Sequence, residues 1–578
     1  MTAPTITAAG PTLDKYDRQL RLWGAAGQQA LATTLVVLIG TSAAGTETLK
    51  NLVLPGVGSV LVIDDEKEQG MTTSANEEFN SCTSNFFLVD QSQDIATKPP
   101  RAQRAMELLR ELNPDVHGDF QQVDDLQTAD YATLFRQASE SSDSPRTTST
   151  KLLVVASDLP PPILDAVASA CHAQSIPLIH VVSYGLIGAV RLQVPVLPLM
   201  NPKPRDAPPD LRLMRPFAAL QQLADSIAWD ALENRQHGHV PYPLILLTCS
   251  AQWKAEHNGK LPSNFSEKQE FSEFVKSKSR NYDNELNFQE AVKNCYLAYA
   301  ERELDIEQLV ELQQKAAASN EFLCQKFSVL VQALQMFLDK HKRPPLNGTI
   351  PDMTASTELY VSLQRVYKDQ ADQDLSELKG FLVHALASFP AAATVTDEEL
   401  SIFSQNIYNL DLLQMRTVAE EYTSIVPDDI TEDLSMATME GDELPDQLPL
   451  LWYLGLSACR MFYQQQGRYP GVVSPNDDDT WQQDIAPLQD CLVAVVRRYK
   501  LQDNDLIKGT LLSRGDDGKN KYAAELARYG NAEYHAIASV VGGVASQEAV
   551  KIITGQYVPL NHTYVYNGIA STGGVYRF

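Results

Sequence analysis

The sequence predicts an α/β protein, a Rossmann-like domain carrying a large, mainly helical insertion. Three observations point there. A short apolar, β-branched run leads through a glycine turn into a helix and then into a second such run. The middle of the chain shows apolar residues at helical spacing. The last stretch returns to α/β texture.

Leu35 to Ile39 (LVVLI) suits a strand buried on both faces. Gly40 to Gly45 (GTSAAG) is the turn. TETLKNLVLPG reads as a helix with Leu49, Leu52 and Val53 on one side, stopping near Pro55–Gly56. Ser59 to Ile63 (SVLVI) is a second strand, closed by Asp64 and Asp65. Strand, turn, helix, strand and acidic end make a dinucleotide-type βαβ unit. Its right-handed crossover places the turn at the carboxyl edge of a parallel sheet.

Pro99 to Leu112 follows as a helix, with Ala105, Leu108, Leu109 and Leu112 at helical spacing. Leu152 to Ala156 is a strand, Pro162 to Ala173 a helix, and Ile176 to Val182 a strand. Between them Ser139 to Thr150 is polar and low in complexity, a flexible surface insertion. Proline crowds LPLMNPKPRDAPPD after about Pro195, and from Phe217 to about Tyr499 the pattern is helical. Leu323, Phe327, Leu330, Val331, Leu334 and Phe337 form one apolar stripe, which reads as core packing. PDDITEDL near Asp428 and NDDDT near Asp477 read as solvated loops. His535 to Gly555 is a long apolar helix rich in small residues, and His562 to Gly568 a strand before GGVYRF.

Composition narrows the function classes. At about 150 residues per domain, 578 residues allow three or four domains, or two with long insertions. The hydrophobic share of 44% and charged share of 21% exclude wholesale disorder. No stretch reaches the roughly 18 apolar residues of a membrane span, and the first residues lack the pattern of a secretory signal. Lys and Arg number 47 against 73 Asp and Glu, a net charge of −26, which makes nucleic acid a poor partner. Seven cysteines without a CxxC pair argue against a disulfide framework and against a zinc site. They fit a reducing cytoplasmic or nuclear compartment, and no metal site is expected.

In an intact GxGxxG turn the second glycine lets backbone approach a phosphate, and the third lets helix and strand pack closely. Here Gly40 and Gly45 hold the first and third positions, but Ser42 holds the second, where a side chain crowds the phosphate. The turn therefore reads as kept for folding. Asp64 and Asp65 stand where a ribose-binding carboxylate would sit, and a structural role is the better reading. Asp158 follows a strand and suits a metal-linked carboxylate, though one acid there is common by chance. No cysteine announces a nucleophile. Cys171, Cys249, Cys295, Cys324, Cys459 and Cys491 lie in helical or apolar contexts, and Cys82 lies in a polar loop.

KYDRQLRLWG (Lys15 to Gly24) resembles the opening YxRQL motif of ubiquitin-like-protein activating enzymes and their bacterial adenylyltransferase relatives. LKNLVLPGVGSVLVIDD, SNFFL, RAMELLRELNPDV and YGLIGAVRL extend the resemblance. NGTIPDM, QQGRYPGV, RYGNAEYHAIASVVGG and QEAVKIITGQYVPLNHTYVYNG are similar to the non-catalytic branch of that family. Members of that branch regulate heterodimeric activating enzymes for Nedd-type (Rub-type) modifiers. The resemblance spans nearly the whole chain.

It implies a pseudo-adenylation domain over residues 1–195, a helical insertion over 196–525 in place of a catalytic-cysteine domain, and a return over 526–578. It also implies a separate catalytic subunit and a Nedd-type modifier as partners. In active members ATP adenylates the modifier's C-terminal glycine and a cysteine then takes the acyl group. Arg18 holds the place of the Arg that reaches across the dimer to the partner's nucleotide. Active members carry Asn-x-x-Arg-Gln, whereas Asn85 here precedes Phe86-Phe87-Leu88. Lys98 aligns uncertainly with their crossover Lys, and the Pro-x-Cys-Thr thioester signature is absent. The resemblance thus implies no catalytic residue and no cofactor bound by this chain alone, with ATP and Mg in the partner's site. The rival readings are an autonomous adenylating enzyme and an NAD(P)-dependent oxidoreductase. The proline-ordered loop of Arg343, Pro344, Pro345, Asn347, Ile350, Pro351, Asp352 and Met353 is a candidate partner contact; an interhelical loop is the plainer reading.

Overall fold

The computed structural model describes residues 15–65, 85–88, 99–140, 151–200, 202, 208–318, 322–387, 395–422, 430–431, 434–435, 447–472 and 481–578. The chain divides into two units. One comprises Met1–Leu197 with Leu413–Phe578, the other Pro198–Leu412.

The first unit is built on an eight-stranded sheet. Its strands are β1 (Thr34–Ile39), β2 (Ser59–Asp64), β3 (His117–Gln122), β4 (Lys151–Ser157), β5 (Leu178–Tyr184), β6 (Ile187–Gln193), β7 (Thr563–Asn567) and β8 (Thr572–Tyr576). The order across the sheet is β8-β7-β6-β5-β4-β1-β2-β3. β3, β2, β1, β4 and β5 run parallel, and β6, β7 and β8 continue the sheet antiparallel. Every residue of β1 is buried, as its unbroken apolar run requires.

Helices α1 (Asp17–Ala32), α2 (Ala43–Val53), α3 (Arg101–Leu112), α4 (Tyr131–Glu140) and α5 (Pro161–Ala173) belong to the first half of this unit. α4 and α5 place Tyr131, Phe135, Ile163, Leu164 and Val167 against Val37, Ile39, Val154 and Ala156 of the sheet. Helices α6 (Pro449–Gln466), α7 (Ile485–Arg498), α8 (Lys521–Tyr529) and α9 (His535–Thr554) belong to its second half. α9 passes against α1, α2, β5 and β6.

Two expectations need correction. The insertion expected over 196–525 ends at Leu412. Trp452, Leu454 and Phe462 of α6 and Leu488, Leu492 and Val495 of α7 share one core with Tyr184, Ile187, Val565 and Tyr576 of the sheet. Helical texture extends beyond the insertion because these helices cover the antiparallel strands. Second, α9 is long and apolar enough, by length and composition, to cross a membrane. Its apolar residues Ala538, Val541, Ala545 and Ala549 are instead fully enclosed in the unit.

The second unit is helical. Helix Tyr242–Glu256 joins Phe271, Phe288 and Tyr367 in one core. Helix Phe322–His341 packs on Thr357–Leu386, and Phe327, Leu330, Val331, Leu334 and Phe337 of the expected stripe are fully buried. Ser139 and Glu140 close α4. The rest of that polar insertion, the 476–480 segment and most of the 427–434 segment lie outside the described residues.

Candidate functional site: a nucleotide turn closed from within

The turn lies at the carboxyl end of β1. Gly40 adopts φ +84°, and an added Cβ would stand 3.0 Å from both Leu159 Cδ2 and Ser157 O. At Gly45 a Cβ would come within 2.8 Å of Leu38 Cδ1 and Ser157 Cβ. Gly45 therefore keeps the close helix–strand packing its sequence position predicts.

Ser42 is the N-cap of α2: its Oγ accepts from Gly45 N at 3.1 Å and bonds Ser157 Oγ. The physical reason is the unpaired N–H groups of a helix's first turn, which draw a Ser hydroxyl in this position. A second group meets the amino end of α2. Glu533, 490 residues away, puts Oε2 2.9 Å from Ala43 N and accepts its hydrogen bond.

The ribose side is equally occupied. Asp64 Oδ2 accepts from the Thr41 hydroxyl and, at 3.2 Å, from Thr41 N. Asp65 N donates to Asp64 Oδ1 at 2.9 Å. Burial raises the Asp64 pKa, with Arg101 Nε at 3.7 Å opposing it. Asp65 accepts from Leu126 N at 3.0 Å. Asn85 donates to Thr41 O at 3.1 Å and accepts from Thr46 Oγ1 at 3.2 Å. Asp158, held at φ 49°, accepts from Ser183 N at 2.7 Å. Among the described residues no cluster of His, Cys, Asp and Glu could hold a metal ion.

Residues 16–69 match the ThiF family. The chain is 32% identical over 579 residues to the NEDD8-activating enzyme E1 regulatory subunit of Danio rerio, covering 97% of this chain and 98% of that one. It is 33% identical over 579 residues to the subunit of the same name from Gallus gallus, with the same coverage. The Arabidopsis thaliana NEDD8-activating enzyme E1 regulatory subunit AXR1 is 31% identical over 562 residues, covering 96% and 94%. The chain belongs to the family of NEDD8-activating enzyme E1 regulatory subunits.

In this regulatory-subunit chain the YxRQL motif has two faces. Tyr16 is anchored: its hydroxyl accepts from Asn113 Nδ2 at 3.0 Å, and its ring lies where a Cβ on Gly56 would fall. Arg18 is exposed on α1 and, among the described residues, forms no hydrogen bond or ion pair. Helix α1 breaks at Gly24, φ +69°, and Gln556 Nε2 donates to Trp23 O just before the break.

The Arg343 to Met353 loop belongs to the second unit and is tied down within it. Arg343 grips Asp374 through both terminal nitrogens, at 2.6 and 2.8 Å, and Leu346 N donates to the same carboxylate at 2.9 Å. Arg212 donates to Pro344 O and Pro345 O at 3.0 and 3.3 Å. Ile350 and Met353 pack on the core, Pro345 is buried, Asn347 and Pro351 are half-buried, and Asp352 is exposed. The geometry accounts for the loop as a brace of its own unit.

The six described cysteines, Cys171, Cys249, Cys295, Cys324, Cys459 and Cys491, are all buried. Burial pushes the thiols of Cys249 and Cys459 up to about 12, the opposite of what a nucleophile needs. Cys82 and Lys98 lie outside the described residues. Sequence reasoning missed Glu533, Thr41 and Ser157. Glu533 stands immediately before Tyr534 and α9, and no local spacing links it to a turn 490 residues earlier.

Proposed function

We propose that this chain is the non-catalytic half of a heterodimeric NEDD8-activating enzyme. With a catalytic subunit as partner, it supports ATP-dependent adenylation of a Nedd-type modifier and thioester formation on that partner's cysteine. The chain alone is inactive. One observation carries this reading: the amino end of α2, which would receive a nucleotide phosphate, holds the carboxylate of Glu533. A phosphate there would meet a like charge and lose its backbone donor.

The residues present do not fit ATP or its magnesium. Thr41 consumes the Asp64 carboxylate, Ser42 caps its own helix, and Asn85 is followed by Phe86-Phe87-Leu88 without the Arg-Gln pair of active members. ATP and Mg accordingly belong to the partner's site. This chain's own contribution there is Arg18, whose exposed guanidinium is available to stabilise phosphate charge across the dimer.

The test is ATP–pyrophosphate exchange with the modifier. The purified chain should show none, and adding a catalytic subunit should produce exchange and thioester. Exchange by the chain alone would establish the autonomous-enzyme reading instead.

A further inference from the structure

Helix α1 is two helical pieces joined at Gly24, whose φ of +69° and ψ of −179° are not helical. The first piece, residues 17–23, is a short arm that carries Arg18. Asp17 is the one acid on the arm, and Arg21 takes its carboxylate at 2.9 Å. The arm's own acid is therefore engaged away from Arg18. Where the Arg18 guanidinium can reach is set by how the arm is mounted.

The arm is mounted at both ends. At the amino end the Tyr16 hydroxyl accepts from Asn113 Nδ2 at 3.0 Å, and the same amide donates to Val53 O at 2.8 Å. Lys15 adds a bond to Asp115 at 2.8 Å. At the carboxyl end stands a joint of three parts. A break in a helix strips the carbonyls before it of partners in the next turn. Trp23 O finds a donor outside the helix: Gln556 Nε2 reaches it at 2.5 Å, across 533 positions of sequence. Gly27 makes the room, since an added Cβ there would stand 2.8 Å from Trp23 Cβ and 2.9 Å from Gln556 Nε2. The Trp23 indole is fixed in turn, donating to Gln28 Oε1 at 2.9 Å, while Gln28 Nε2 donates to Pro55 O at 2.9 Å.

Gln556 is itself held still. It is 5% exposed and follows Gly555, the left-handed residue that ends α9 with its N–H on Lys551 O at 2.9 Å. The donor at the joint is thus presented by the end of an enclosed helix. An arm held only at Tyr16 can still roll and tilt about that point. The second point fixes its direction.

We propose that Gln556 is a positioning residue for Arg18: by bonding Trp23 O at the Gly24 break, it sets the direction of the arm from which Arg18 reaches the partner's nucleotide. Gly27 is the gap that admits it. This rests on the role in trans given to Arg18 above and adds the part of the chain that aims it.

The test is pyrophosphate exchange by the reconstituted heterodimer, with Gln556→Leu, Gln556→Glu and Gly27→Ala each made alone and in the Arg18→Ala background. The first two remove the donated hydrogen bond, and the glutamate keeps the shape of the side chain. Gly27→Ala puts a methyl group into the joint. A misplacement of about 1 Å can cost on the order of a hundredfold in rate. Because Tyr16 still holds the amino end, each variant should lose roughly three- to thirtyfold. None should lose more once Arg18 is already alanine, because aiming an absent guanidinium changes nothing. A merely structural role would subtract the same factor in both backgrounds.

Undiminished exchange in the single variants, or an equal loss with and without Arg18, would overturn the positioning role while leaving Arg18 its own. Full exchange by Arg18→Ala would remove the role in trans, and the positioning role with it. If Gln556→Leu fails to fold, Gln556→Glu and Gly27→Ala decide.

Discussion

Arg191 on β6 and Glu421 form a buried ion pair, Nε to Oε2 2.5 Å, with side chains 3% and 1% exposed. The guanidinium also donates to Leu192 O and Arg416 O at 2.7 and 3.0 Å, and the Tyr453 hydroxyl donates to the free Glu421 oxygen. The pair clamps the chain to the sheet a few residues after it re-enters the first unit at Leu413. Removing one partner leaves a charge buried alone. Arg191→Met should lose about 3–5 kcal/mol of unfolding free energy in a denaturant titration. A variant as stable as wild type would show that the clamp contributes nothing.

Arg18 is exposed and unengaged among the described residues, so Arg18→Ala should leave the Tm of the isolated chain unchanged. In the reconstituted heterodimer it should cut pyrophosphate exchange about ten- to a hundredfold, the equivalent of roughly 1.5–3 kcal/mol of charge-assisted hydrogen bonding. Unchanged exchange would reduce the chain to a scaffold.

Ser42→Ala removes the cap from α2 and the bond to Ser157. It should cost about 0.5–2 kcal/mol by chemical denaturation. It should also give no ATP binding by calorimetry, because Glu533 still occupies the amino end of the helix.

Gly45→Leu addresses packing alone. With Leu38 and Ser157 2.8 Å from any added Cβ, α2 must move off β1 and β4. The expected loss is about 1–3 kcal/mol, read from the same denaturant midpoint.

Asp374 offers a pH test in the second unit. Burial opposes its ionised form, yet Arg343, Leu346 N and Gln370 together hold its carboxyl below the ordinary carboxylate value of 3.8. A depressed pKa contributes stability that is present above the unfolded value and lost as pH falls through the folded one. Amides of the 343–353 loop should therefore gain hydrogen-exchange rate only in strongly acidic solution. Asp374→Asn should bring that loosening to neutral pH.

The parallel half of the sheet was legible in the sequence because its strands are short unbroken apolar runs next to turns and helices that punctuate them. β1, β2, β4 and β5 fall within two residues of expectation at each end. β3 (HGDFQQ) escaped notice because its residues are polar and mostly exposed, so no apolar run marks it. β6 is less legible, since its pairing with β7 joins segments far apart in sequence. The degenerate turn was visible at Ser42, but the group that fills the site was not. A carboxylate is recruited by backbone N–H groups in space, and its sequence neighbours carry no trace of that.

The sheet's antiparallel half has a consequence for how the protein is made. β7 and β8 lie some 370 residues beyond β6, since 563 − 193 = 370. Until the ribosome has delivered them, β6 must wait with one side of its ladder unpaired while the whole helical unit emerges. Strand edges of that kind recruit other chains. Nascent copies should therefore depend on chaperone shielding during synthesis, and the last strands to emerge end that exposure.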